Sequence, residues 1–265
     1  MLAVNAAPIA MSIVRPLNAD PVRMQSPAHG LRPAPVAPRA LDIRDHQACA
    51  SRGSFRAAGL MQLPHALSIA EGVQLWSQAL DPAQQAELLG AVLFAVEEAP
   101  FVHPTMPRTG TPFSVTQTNF GTLGWVSDHD GYRYQEHHPK TGKPWPPIPP
   151  MLISLWHAAL PDAPDPHCCL INYYSAGARM GLHQDRDETA LDVPVLSVSL
   201  GAKALFRLGG TSRKSPSRSL TLHSGDLLAF GGPARLAFHG IDRIIAGSCG
   251  LVPDGGRINL TLRRV

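Results

Sequence analysis

The chain has 265 residues, a hydrophobic share of 44%, a charged share of 16% and a formal charge of +3. That length holds one large domain with a real core, or two small ones, and so mild a charge excludes a histone-like basic surface without excluding nucleic-acid binding. Pro (26) and Gly (23) are frequent, which favours short strands and many turns over long helices. Four cysteines, Cys49, Cys168, Cys169 and Cys249, form no CxxC pair. They read as reduced thiols of a cytoplasmic protein. The N-terminus has no positive stretch ahead of its short apolar run, and no run is long enough to span a bilayer. Neither a cleaved signal nor a membrane anchor is expected.

Residues 1 to 54 are Pro- and Ala-rich and lack hydrophobic periodicity. They read as a flexible extension ahead of one domain over 55 to 265. The short apolar stretch Gly59 to Leu63 reads as the first strand. Asp81-Pro82 opens a helix, with Asp81 as N-cap and Pro82 in the first position. Leu88, Leu89, Val92, Leu93 and Val96 follow at helical spacing, and Pro100 ends the helix. Residues 101 to 149 are loop-rich, with isolated aromatics: Phe113, Phe120, Trp125, Tyr132, Tyr134 and Trp145. Such rings are packing anchors or stacking platforms, since a ring face accepts any base for about 1–3 kcal/mol. His129, His137 and His138 fit no metal-ligand spacing and read as surface. Pro150 to Leu160 reads as a second helix. From Cys168 onward the pattern changes to short strands: Cys168–Ser175, Pro194–Leu200, Ala204–Leu208, Ser219–Leu222, Leu227–Phe230 and Ile258–Arg263. The expected class is α+β, mainly β, a sandwich or jelly roll. The basic loop Thr211 to Ser215 is a solvated hairpin tip or a phosphate contact.

The chemistry centres on Gly181-Leu182-His183-Gln184-Asp185-Arg186-Asp187-Glu188. In an extended chain His183 and Asp185 share one face. An imidazole and a carboxylate side by side are two of the three ligands of a 2-His-1-carboxylate site. His239 is the best candidate for the third. Further on, Arg257, Asn259, Thr261 and Arg263 alternate with Ile258, Leu260 and Leu262, as in a strand with one face of hydrogen-bond donors. Singly, each piece reads as an ordinary loop or edge strand. In this order they fit a metal-bound dicarboxylate, because a guanidinium grips a carboxylate through a planar fork.

The segment from Asn172-Tyr173-Tyr174 to Arg263 resembles the AlkB family of iron(II)- and 2-oxoglutarate-dependent dioxygenases. The likeness rests on Asn172-x-Tyr174, the run Gly181 to Glu188, Pro194 to Gly201, Gly225-Asp226, His239-Gly240 and Arg257-x-Asn259-x-Thr261-x-Arg263. Upstream, Thr118 to Trp125 and Lys143 to Pro146 are similar to the family's substrate lid. The resemblance covers roughly 55 to 265, not the extension. It implies a double-stranded β-helix over about 168 to 265, with supporting helices and a lid over about 101 to 149.

It also implies that His183, Asp185 and His239 hold iron(II), and that Arg257 binds the far carboxylate of 2-oxoglutarate with Tyr174 and Asn172. Asn259 would join the same wall, and Arg263 would position Asp185. Trp125 would stack on the damaged base against His183. Asp187 would face a cationic base, Tyr132 and Tyr134 would lie near the backbone, and Arg213 would be on the substrate side. The implied reaction uses dioxygen and 2-oxoglutarate to remove an N-methyl group as formaldehyde from 1-methyladenine or 3-methylcytosine. The partner would be DNA, single-stranded or with the base flipped out, with RNA left open, no membrane and a monomeric enzyme. Two rivals remain at this point: a 2-oxoglutarate oxygenase acting on a protein or small molecule, and a non-catalytic nucleic-acid-binding jelly roll. Two acids in Val126 to Asp130 weigh against a strongly basic groove there.

Overall fold

Asp81 and Gln84 cap one another, side chain to backbone in both directions, and Pro82 fills the first helical position. This capping box starts the long helix α1, Pro82–Glu98, which Pro100 then prevents from continuing. A computed structural model describes residues 61–265 of the chain. The proposed flexible extension lies outside the described residues, as do Cys49 and the first two residues of the expected strand Gly59 to Leu63. The described part of that stretch, Met61 to Leu63, is not a strand. Pro64 follows it, and the first ladder forms beyond, between β1 (Leu67–Ala70) and β2 (Val73–Trp76).

The helix α2 spans Pro150–Ala159, with Leu152, Leu155 and Trp156 buried. The later strands fall where the alternation placed them, within a residue or so at most ends. They are β6 (Cys168–Tyr174), β8 (Val195–Gly201), β9 (Lys203–Leu208), β10 (Arg218–Leu222), β11 (Leu227–Phe230) and β13 (Arg257–Arg263). Besides β1 and β2, five further strands were not expected. Three lie in the stretch read as loop: β3 (Thr116–Gly121), β4 (Gly124–Asp128) and β5 (Gly131–Gln135). The other two are β7 (Met180–His183) and β12 (His239–Ile245). The first three are short, polar and separated by glycine turns, so they lack the apolar run that marks a strand.

Two antiparallel sheets result. The larger has the order β1-β2-β11-β8-β13-β6-β3, the smaller β10-β9-β12-β7. Neighbours in the sheets are often far apart in sequence, as a jelly roll requires. Val195, Phe206, Leu208, Leu222, Leu228, Phe230 and Ile241 form one core, on β8 and β11 of the larger sheet and β9, β10 and β12 of the smaller. A second core lies between the large sheet and the helices, where Leu88, Val92, Leu155 and Trp156 meet Ile171, Leu196, Leu200, Leu260 and Leu262. Strand β13 therefore turns its leucines to the helices and its arginines, Asn259 and Thr261 to the other face. The β4–β5 hairpin stands as a separate two-stranded sheet.

One expectation about the lid fails. His138 is not a surface residue but is 1% exposed. Its Nε2 lies 2.8 Å from the Pro100 carbonyl, its Nδ1 accepts from the backbone of Lys140 and Thr141, and its ring meets Trp145 edge-on. A histidine flanked by polar residues carries no local sign of burial, and the tertiary fold supplies the partners. His129 and His137 are exposed, as expected.

Candidate active site

The second histidine comes from the neighbouring strand. In the ladder between β12 and β7, His239 is the direct register partner of His183. The ring centroids stand 4.4 Å apart. Asp185 follows two residues beyond the end of β7. Its Oδ1 lies 3.7 Å from Nε2 of His183 and its Oδ2 3.9 Å from Nε2 of His239. One ligand atom from each of the three residues lies within 4.8 Å of the others. Each imidazole also sets its Nδ1 2.9 Å from the carbonyl two residues earlier, Gly181 for His183 and Ala237 for His239. That contact makes Nδ1 the protonated nitrogen and leaves the Nε2 lone pair facing the convergence point. Gly240 permits the close strand approach, because a Cβ there would meet the Met180 carbonyl oxygen at 2.5 Å.

The electrostatics suit a divalent cation. Burial alone would push the Asp185 carboxyl up. The Arg263 guanidinium, with His239, His183 and Arg235, outweighs it and holds Asp185 well below the usual carboxylate range. Burial pushes His239 down to about 4, so its imidazole is neutral. Two imidazoles and a carboxylate on one side leave the other side of an ion open, as an iron(II) oxygenase site needs and a closed tetrahedral zinc site does not. Arg263 Nη2 donates to Asp185 Oδ2 at 2.8 Å, which orients that ligand.

A cavity of about 870 Å³ opens over these groups. Arg257 is 0% exposed beneath it. Its Nη2 donates to Ser199 Oγ at 2.7 Å and its Nη1 to the Ala202 carbonyl at 3.1 Å, while its Nε has no partner. Among the described residues no carboxylate pairs with it, and burial pushes its guanidinium down to about 10. A buried cation with neutral partners and a spare N–H fits an anionic ligand. Tyr174, its register partner on β6, is pushed up to about 12 by burial and keeps its proton to donate. Asn172 lies one step along on the same face. Asn259 also lines the cavity, but its amide nitrogen is engaged by Ser197 Oγ and the Val198 carbonyl, and its oxygen by Thr261.

The lid aromatics reach the same cavity. Trp125 stacks on Tyr132, with centroids 5.7 Å apart and planes 16° apart. Its indole Nε1 donates to Asp187 Oδ2 at 2.9 Å, so that carboxylate holds the lid tryptophan. Arg213 also lines the cavity, over the Phe238 ring. Tyr134 does not line it. Its hydroxyl bonds Glu188, which does line the cavity. Of the two acids in this stretch, Asp128 does not stand as free charge, since Arg133 clasps it through two bonds of 2.7 and 2.9 Å, while Asp130 stays exposed beside His129.

Glu188, Arg235 and Gln117 carry no sign of a role in the sequence. Glu188 is buried between Tyr134, Arg263 and Arg235, with Arg235 Nη2 at 3.0 Å. Arg235 also donates to the carbonyls of Asp185 and Val193, bracing the segment that carries the carboxylate ligand. An arginine in a Gly/Pro turn reads as surface, so only the fold shows this one. Gln117 donates to Asn172.

Residues 72–263 match the 2OG-Fe(II) oxygenase superfamily. A protein of Caulobacter vibrioides named alpha-ketoglutarate-dependent dioxygenase AlkB homolog is 52% identical over 213 residues, 80% of this chain and 96% of the relative. This chain belongs to the AlkB family. The Escherichia coli K12 dioxygenase AlkB is 41% identical over 182 residues, 67% of this chain and 83% of that one. The solved structure of OsALKBH1 superposes with a TM-score of 0.65 and 27% identity, over 76% of this chain and 100% of that one. Like other AlkB proteins, the chain is an iron(II)- and 2-oxoglutarate-dependent dioxygenase with a jelly-roll fold. Among the described residues no helix is long and apolar enough to cross a membrane.

Proposed function

We propose that this dioxygenase removes N-methyl groups from damaged nucleic-acid bases, 1-methyladenine and 3-methylcytosine in DNA first, with RNA as a second substrate. One observation carries the substrate class. The Trp125–Tyr132 stack and the His183 ring line the cavity that also holds the ligand triad. A flat ring enclosed by aromatic faces beside an oxidising centre is what a flipped-out base requires. A DNA N(6)-methyladenine demethylase of Arabidopsis thaliana is 41% identical over 108 residues, 37% of this chain and 24% of that one.

In this reading His183, Asp185 and His239 hold iron(II). Arg257 and Tyr174 bind the far carboxylate of 2-oxoglutarate, with Asn172 and Asn259 on the same wall. With 2-oxoglutarate and dioxygen, the iron centre supplies the oxidation that turns an N-methyl into a hydroxymethyl group, lost as formaldehyde while succinate and carbon dioxide form. The protein's own task is placement. Trp125 and His183 clamp the base, Asp187 steadies Trp125, and Arg213 meets the phosphate backbone. Leu170, Phe206, Leu222 and Phe230 line the cavity and keep water from the reacting methyl. We read residues 55 to 265 as one dioxygenase domain, monomeric and cytoplasmic. The superfamily match over 72–263 supports the domain reading.

The test is turnover. The full chain with iron(II), ascorbate and 2-oxoglutarate is given a 1-methyladenine oligonucleotide, and formaldehyde and succinate are measured. Equal release of both is expected, and none from His239→Ala. Turnover of peptides or metabolites with none on methylated DNA or RNA would overturn the reading.

A further inference from the structure

We propose that Gln117 is a positioning residue for 2-oxoglutarate, acting through Asn172. The inference rests on the cosubstrate site given above.

Gln117 in β3 and Asn172 in β6 are register partners. Both line the cavity, and Gln117 is 3% exposed. Gln117 Nε2 donates to Asn172 Oδ1 at 2.6 Å. A primary amide has an accepting end and a donating end. With its oxygen held by Gln117, Asn172 presents its NH2 to the cavity, and no described residue accepts from it. The row continues across the floor to Asn259, the partner of Asn172 in β13. The amide of Asn259 is occupied at both ends by Thr261, Ser197 and the Val198 carbonyl. Asn172 therefore carries the amide donor of this row that is left for a ligand.

The next row holds Arg257 and Tyr174. The unpartnered Nε–H of Arg257, the hydroxyl of Tyr174 and the NH2 of Asn172 all suit a carboxylate acceptor. Gln117 fixes the sign of the Asn172 contribution. Without its N–H, the Asn172 amide turns over as easily one way as the other. Its oxygen, an acceptor, would then face an anion half of the time. Gln117 touches neither the cosubstrate nor the reacting atoms in this scheme.

The experiment uses the full chain loaded with manganese(II) in place of iron, and titrates 2-oxoglutarate by intrinsic fluorescence. Two variants are compared, Gln117→Met and Gln117→Glu, each also in an Asn172→Ala background. Methionine keeps the volume and removes the donor. Glutamate replaces the donor with an acceptor and forces Asn172 to donate toward it, turning its oxygen to the cavity. The dissociation constant is expected to rise about twofold in Gln117→Met, where half of the amides are turned, and about tenfold or more in Gln117→Glu, the loss of one hydrogen bond to a charged group. In the iron enzyme, KM for 2-oxoglutarate should rise in the same order, with kcat at saturation within about twofold. The Gln117→Met effect should vanish once Asn172 is alanine, and the Gln117→Glu effect should shrink to the repulsion between one added carboxylate and the ligand. Equal effects of the two variants, or a Gln117→Met penalty that persists without Asn172, would overturn the proposal. Wild type that does not bind 2-oxoglutarate at all would overturn the site reading itself, so the two failures are told apart.

Discussion

Arg257 and Glu188 show how a single buried charge is matched in this protein. Arg257 lies under the cavity with neutral partners, Ser199 and the Ala202 carbonyl. Such a site is stable without an anion only at the cost of leaving a cation poorly solvated. Arg257→Met should therefore leave the melting temperature of the ligand-free protein nearly unchanged. It should weaken 2-oxoglutarate binding about hundredfold, the usual loss when one partner of a buried charge pair is truncated. Calorimetry and a 2-oxoglutarate titration read the two effects separately. Glu188 behaves in the opposite way. It lies against both Arg235 and Arg263, and its side chain is 1% exposed. Neutralising it leaves buried Arg235 with no carboxylate and Arg263 with Asp185 alone, so Glu188→Gln should destabilise the fold by about 3 kcal/mol or more in a denaturant titration. A loss below about 1 kcal/mol, the range of a surface pair, would show that the cluster is solvated.

At the scale of elements, the stretch proposed as a lid is tied to the end of α1 through His138. Burial lowers its imidazole below the ordinary value of 6.5. Its neutral form is the one that bonds, since Nδ1 accepts from two backbone N–H groups. The unfolded chain therefore takes up the proton first as pH falls. The stability that His138 contributes is complete above 6.5 and is lost as pH drops through the lower folded-state value. Melting temperatures across this range should fall more steeply in wild type than in His138→Gln, whose amide can accept but does not titrate. Parallel curves would show that the loop opens without regard to this ring. The same loop brings in Trp145, whose indole donates to the Gln135 carbonyl and whose ring packs where a Cβ on Gly124 would collide at 2.3 Å. These contacts turn a stretch of polar, glycine-rich sequence into the β4–β5 hairpin that carries Trp125 and Tyr132.

For the whole molecule, the modest charge of +3 is unevenly spread. Between Asp192 and Asp226 the chain has five basic residues and no acid. Arg179, Arg186 and Arg213 line the cavity, and none has an acidic partner among the described residues. Binding to single-stranded DNA should therefore depend on salt with a log–log slope of about −2, three phosphates at ~0.7 each. Anisotropy across a salt series checks it, and a slope near zero would remove the arginines from the interface.

Features whose physical cause lies within a few residues can be read locally along the chain. The Asp81 cap and Pro82 start need one turn of chain. The His183–Asp185 pair needs a spacing of two. The alternation of β13 fixes which of its groups share a face, and these local signals already outlined the helices, most of the later strands and the ligand set. What lies opposite each group depends on the fold. The register that faces His239 with His183, the clasp of Arg263 on Asp185 from 78 residues away, and the grip of Arg235 on Glu188 from 47 away are pairings between distant strands and turns. The strands β3 to β5 and the burial of His138 and Gln117 belong there too. A polar residue carries no local mark of the partner that will satisfy it, and burial of such a group is decided by that partner.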